Sequence, residues 1–159
     1  MSGVSGGSVE RVRAALRAVG HPDTIVAFPA GTRTAADAAA AIGCEVAQIA
    51  KSIVFRAGER AAVVVISGAL RVAQDRAELA LGTRLARADA DWVRAATGFA
   101  VGGVAPVGHV TPPLLLLDEG LLILDPVWAA AGSPSHVFRT SAAELVRMTG
   151  AQVADVAAR

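Results

Sequence analysis

One cysteine, one lysine and no tyrosine occur among the 159 residues of this chain. The lone Cys44 can form neither an intrachain disulfide nor a cysteine-based metal cluster. On an Ala-rich helix it reads as a packing residue. The three histidines, His21, His109 and His136, do not stand at metal-ligand spacing, so no metal site is expected. Aromatic residues make up 4% of the chain, too few for a platform that stacks the bases of single strands. There is no run of basic residues and the formal net charge is +1, which neither supports nor excludes a nucleic-acid partner. The longest apolar stretch, "LLLLDEGLLIL" from Leu114 to Leu124, is broken by Asp118, Glu119 and Gly120. It falls short of the about 20 residues that span a bilayer. The N-terminal "MSGVSGGSVERVR" has no apolar signal-peptide core. A cytoplasmic protein with no membrane association is expected. G-x-S-x-G, G-x-G-x-x-G, the P-loop and H-E-x-x-H are all missing, which removes the commonest serine-hydrolase, nucleotide and zinc-enzyme readings.

What is present is apolar and rich in alanine: 53% of residues are hydrophobic, enough for one substantial core. Residues 1–7, rich in Gly and Ser, are expected to be a flexible N-terminus, and residues 8–159 a single domain. Ser8 reads as the N-cap of a helix running to about Val19, with Val9, Val12, Leu16 and Val19 on one face. "TIVAFP" reads as a strand, and Thr34 caps a helix that stops at Gly43. Two β-branched runs flank "AGER" in "SIVFRAGERAAVVVISG", a hairpin signature. "VAQDRAELALG" reads as a helix, "RLARA" as a short strand, and Asp89 caps "ADWVRAATG". "LLLLD" and "LLILDP" predict a second hairpin, with Asp118 and Glu119 solvated at its tip. "VWAAAG" and "SHVFRT" predict strands. Ser141 and Glu144 form an S-x-x-E capping box, and a last short helix would bury Val153 and Val156. His21, before Pro22, reads as a surface turn residue. Hairpins mixed with helices predict an α/β (α+β) fold with a mixed sheet, not a regular parallel array.

Two features remain that could carry chemistry. Of the 15 Lys and Arg residues only Lys51 is lysine. An ordinary lysine at the end of a helical turn needs no function. Against this bias, a compact ammonium with a tunable pKa suits a narrow site beside a phosphate or oxyanion, where a planar guanidinium would not fit. The second feature is "GGVAPVGH", Gly102 to His109. Gly102 and Gly103 permit close approach of backbone N–H groups to a ligand, and Pro106 fixes the path. Alone, such a loop reads first as a tight connection between a helix and a strand.

Together, "QIAKSIVF", "TGFAVGGVAPVGH" and "VWAAAGSPSHVFRTSAAELVRMTGA" resemble the YbaK/ProX family, free-standing relatives of the editing domain of bacterial prolyl-tRNA synthetase. The resemblance runs from about Thr24 to Val156. It implies a mixed, strongly curved, barrel-like sheet surrounded by helices. It also implies hydrolysis of mischarged aminoacyl-tRNA bearing a small amino acid, chiefly on tRNA-Pro, with no cofactor. The family's functional lysine corresponds to Lys51, and its substrate loop to Gly102, Gly103, Val104, Ala105 and Pro106. On this reading Lys51, Gly102 and Gly103 are the catalytic candidates. Phe28, Val104, Ala105, Pro106, Val107, Gly108, His109, Gly132 and His136 are the substrate-binding ones. The segment "GSPSHVFRT" departs from a pattern in some Cys-tRNA-Pro deacylases, a Gly-Lys-Arg-Gly segment followed by Asp, and brings His136 to that place. This argues against Cys-tRNA-Pro. The implied partner is the 3′ acceptor end of aminoacyl-tRNA, with help from a synthetase or elongation factor left open, as is the oligomeric state. The alternative is a non-catalytic module that binds an aminoacyl-adenosine or a tRNA 3′ end.

Overall fold

The computed structural model describes residues 4–28 and 34–158. Helix α1 spans Val4–Ala18 and is followed by strand β1, Ile25–Ala27. Helix α2, Ala35–Ile42, starts on a full capping box between Thr34 and Asp37 and ends on left-handed Gly43. Cys44 follows it, half-buried against the cluster of Ala38, Ala39 and Ile49, and burial pushes its thiol pKa up. A 3₁₀ turn, Val46–Gln48, leads directly into β2, Ile49–Ala57, so Lys51 is the third residue of a strand and not the end of a helix. Strand β3 is Arg60–Ser67, α3 is Gln74–Leu81, β4 is Ala86–Arg87 and α4 is Ala90–Thr97. After the Gly/Pro loop come β5, Leu114–Asp118, then β6, Val127–Ala130, and β7, His136–Thr140. Helix α5, Ala142–Thr149, and β8, Gln152–Ala154, complete the order.

The strands make one mixed sheet in the order β1-β7-β6-β2-β3-β5-β8, with β4 also paired to β2. The predicted hairpin is β2–β3, in register from Ala50↔Ser67 to Ala57↔Arg60. Strand β3 lies between antiparallel β2 and parallel β5, covered on both faces. That explains its unbroken apolar run: Val63 to Ile66 are at most 1% exposed. One face packs against α1, α4 and α5 through Val12, Leu16, Val93 and Leu145, the other against α3 through Ala77. Helix α2 lies over Ile49.

Five local expectations are corrected. Helix α1 begins at Val4, so Ser8 sits inside it and is not its cap. "DEGLLI" makes no hairpin: Glu119–Ile123 winds as a 3₁₀ turn. Asp118 is 1% exposed, and its carboxylate accepts the N–H groups of Gly120 (3.1 Å) and Val156 (2.9 Å). Residues after Gly150 form β8, which pairs in parallel with β5; Val156 is buried as expected, but Val153 is largely exposed. His21 is buried edge-on against Phe138, with Nε2 3.0 Å from Thr140 Oγ1 and Nδ1 2.7 Å from the Pro22 carbonyl. At Ser141 half of the capping box forms: its hydroxyl accepts from Glu144 N–H, while the Glu144 carboxylate turns to Arg147.

Candidate active site

Strand β2 is paired with β3 along its length, but its other edge is covered only at its ends. β6 reaches Ile49 and Ala50, and β4 reaches Phe55 and Arg56. The Ile49 carbonyl accepts from Gly68 N–H on the β3 side (2.6 Å). Strand alternation therefore turns the N–H and C=O of Ser52 to the uncovered edge, between β6 and β4. A cavity of about 280 Å³ lies at this gap. Because it opens at a strand edge, it meets side chains from both faces of β2: Lys51 and Ile53 from one, Ala50 and Ser52 from the other.

The opposite walls are the glycine loop and the β6–β7 connection with the strand ends beside it. Val101, Gly102 and Val104 form one; Ala130, Ser133, Pro134, His136 and Val137 form the other; Thr34, Ala35 and Ala38 close it beside α2. Lys51 and the glycine loop thus share one cavity, as a joint role requires. Lys51 is half-buried and makes no ion pair among the described residues. Burial, and secondarily the nearby Arg71 charge, lowers its pKa below the ordinary lysine value.

The loop glycines divide the work. Gly102 has φ of +91°, lines the cavity, and its N–H makes no hydrogen bond among the described residues. Gly103 does not line the cavity. Its N–H donates to the Ala100 carbonyl at 2.9 Å, so it is not free to stabilise an oxyanion. A Cβ on it would lie 2.7 Å from Ser133 Cα. The contact of backbone on backbone fixes one loop against the other.

The remaining predicted residues separate. His136 lines the cavity, with Nδ1 2.6 Å from Ser133 Oγ, which also accepts Ser135 N–H at 3.1 Å. His109 does not. Its Nε2 lies 2.7 Å from the Ala105 carbonyl, which can only accept, so Nε2 carries the hydrogen. Nδ1 is buried with no hydrogen-bond partner among the described residues, the ring meets Phe99 edge-on, and burial lowers its pKa. Pro106, Val107, Gly108 and His109 line a separate cavity against Ala15 of α1 and Met148 of α5. Ala105 is core. Phe28 packs against the cluster of Ala38, Ala39 and Ile49 and is not in the cavity lining. Gly132 lies against α1: a Cβ there would be 2.7 Å from the Ser8 carbonyl oxygen.

The sequence reading missed Ser52, Ser133, Pro134 and Thr34. Ser52 is next to Lys51, and its buried Oγ has no hydrogen bond among the described residues. Ser133 and Pro134 are in the very segment quoted for His136, but nothing local announces that they face the glycine loop. Among the described residues no group of three or more His, Cys, Asp or Glu is placed to hold a metal, and no helix is long and apolar enough to cross a membrane.

A mixed sheet with a cavity at an interrupted edge, walled by a lysine strand and a glycine loop, defines a candidate small-ligand site. The chain belongs to the aminoacyl-tRNA editing domain family, whose model matches residues 29–148. It is similar to a solved structure described as a candidate trans-editing enzyme for prolyl-tRNA synthetase: 46% identity over 96% of this chain and 98% of that one, TM-score 0.90. A scaffold protein from computational epitope grafting is similar at 45% identity over the same shares, TM-score 0.90. The uncharacterized protein YwhH of Bacillus subtilis strain 168 is 26% identical over 147 residues, 92% of this chain and 94% of YwhH.

Proposed function

We propose that this protein is a trans-editing hydrolase that removes a small amino acid from mischarged tRNA, with tRNA-Pro the first candidate. The observation that carries this reading is the pairing, in one cavity, of an ammonium and a glycine-loop N–H that both lack a partner among the described residues. An aminoacyl ester is already activated, so positioning and charge stabilisation suffice without a side-chain nucleophile.

In the proposed reaction Lys51 holds the phosphate of the terminal adenosine or the negative charge developing at the ester. The Gly102 N–H faces the ester carbonyl oxygen. Water adds to the carbonyl carbon, assisted by the neighbouring ribose 2′-OH. The carbonyl–ribose oxygen bond then breaks, the amino acid leaves as its carboxylate, and the ribose oxygen takes a proton. Apolar walls at Ala35, Ala38, Ile49 and Val104 exclude large side chains sterically, whereas a missing methylene is worth only about 1–3 kcal/mol. A cytoplasmic location and the tRNA 3′ end as partner go with this reading.

The test is deacylation of tRNAs charged with Ala, Cys, Ser or Thr by wild type, Lys51→Ala and Lys51→Arg. Loss of one stabilising group predicts a fall of about 100- to 1,000-fold for both variants. Full activity of Lys51→Arg removes lysine from the mechanism. Binding of a charged 3′ end without hydrolysis of any substrate replaces the enzyme by a binding module.

A further inference from the structure

Helix α1 lies outside residues 29–148, the segment matched by the family model, yet it holds both loops of the Lys51 cavity. Arg11 reaches the two ends of the glycine loop: Nε donates to the Gly108 carbonyl and Nη2 to the Gly98 carbonyl, each at 2.7 Å. Its guanidinium lies over the Phe99 ring, 4.6 Å from the centroid. Arg11 makes no ion pair among the described residues, so its charge serves those carbonyls and that ring. One turn earlier, Ser8 Oγ donates to the Gly132 carbonyl of the second loop at 2.8 Å. The fit is close: a Cβ on Gly132 would lie 2.7 Å from the Ser8 carbonyl oxygen, closer than packing allows, and one on Gly108, whose φ is +81°, would lie 3.3 Å from Val12 Cα, a tight contact. Both loops are therefore bonded to the same stretch of one helix, and they touch each other at Gly103 and Ser133.

We propose that Arg11 is a positioning residue for the deacylation. Resting on the function proposed above, α1 sets the separation of the Val101–Val104 wall from the Ser133–His136 wall, and with it the largest acyl group admitted. Lysine cannot replace Arg11, because one ammonium cannot donate along two divergent directions and stack on Phe99 together.

The experiment compares wild type, Arg11→Lys and Ser8→Ala on alanyl and valyl esters of the same tRNA, with hydrogen exchange of the loop amides. In Arg11→Lys, kcat/KM for the alanyl ester falls about 100-fold, the effect of a displacement near 1 Å, and the preference for alanyl over valyl narrows. Amides of residues 99–109 and 131–136 exchange about tenfold faster or more, while those of β3 keep their protection. Ser8→Ala, a milder change, speeds exchange in residues 131–136 alone. Wild-type kcat/KM and selectivity in Arg11→Lys overturn the proposal. So does exchange that rises equally in β3 and the loops, which marks a general stabilising residue. If wild type hydrolyses neither this pair nor the panel above, the deacylase reading fails by itself. Unchanged loop exchange in Arg11→Lys then overturns the clamp separately.

Discussion

Gly103 and Ser133 meet backbone to backbone: a methyl on the glycine would sit 2.7 Å from the serine Cα and 2.8 Å from its carbonyl carbon. The first wall of the cavity is thereby built on the second, and neither backbone has a flexible end that could yield. Gly103→Ala is expected to cost about 1–3 kcal/mol by overpacking and to lower kcat/KM strongly, because the Ser133–His136 pair is displaced with it. Gly102→Ala has room, its nearest neighbour being Pro134 Cγ at 3.7 Å, but its φ of +91° penalises any side chain. Its stability loss is expected near 1–2 kcal/mol. Urea unfolding and steady-state kinetics of the two variants separate these effects.

Lys51 sets function against stability. Burial lowers its pKa, so the folded state binds its proton less well than the unfolded chain does. Between the lowered value and the ordinary lysine value the unfolded state holds more protons, and stability rises with pH through that window. The cation is disfavoured by folding at neutral pH. Lys51→Met is expected to raise Tm slightly and to abolish deacylation. The wild-type activity should decline with rising pH earlier than a free lysine would dictate. A thermal melt and a pH–rate profile check both.

His109 titrates with a consequence of known sign. Its pKa is lowered by burial, against a smaller rise from the Ala105 hydrogen bond. The stability it supports is complete above the ordinary histidine value, near about 6.5. It is lost as pH falls from there through the lowered value, because the unfolded chain takes up the proton first. His109→Gln can keep a donor toward the Ala105 carbonyl. The variant is expected to lose less stability between pH 7 and pH 5 than wild type does, read from Tm at the two pH values.

Asp118 is structural. Replacing it by alanine strands the buried N–H of Val156 and the N–H of Gly120, at about 1–3 kcal/mol per group left unpaired. Because Asp118 does not line the Lys51 cavity, kcat/KM measured well below Tm should stay at the wild-type value.

Several elements were legible because their signals are local. Thr34 and Asp89 accept the N–H groups that open α2 and α4, and Gly43, Gly82, Gly98 and Gly150 end their helices in the left-handed conformation. The β2–β3 hairpin needed only two β-branched runs and a short turn. The candidate lysine stood out for a different reason, its rarity against a background of arginine, and the glycine loop through its composition; both line one cavity.

Position in space was not written locally. "DEGLLILD" has the pattern of a hairpin, yet the chain there winds because the Asp118 carboxylate captures Gly120 and, from far along the chain, Val156. The last strand pairs with β5, distant in sequence, against the helical reading of its own residues. His109, next to the glycine loop, could by sequence hold that loop or touch the substrate; the fold turns its ring to the Ala105 carbonyl and to Phe99, within the loop and outside the cavity lining. Gly103 looked like an N–H donor and is a packing contact. By itself the sequence determined where helices begin and end at capped sites, which runs can be strands, and which residue types are chemically suited to an acyl ester. The tertiary structure decided which of those residues share a cavity. That depends on long-range backbone contacts, Gly103 on Ser133 and Gly132 on Ser8, whose energy belongs to pairs of segments and to neither segment alone.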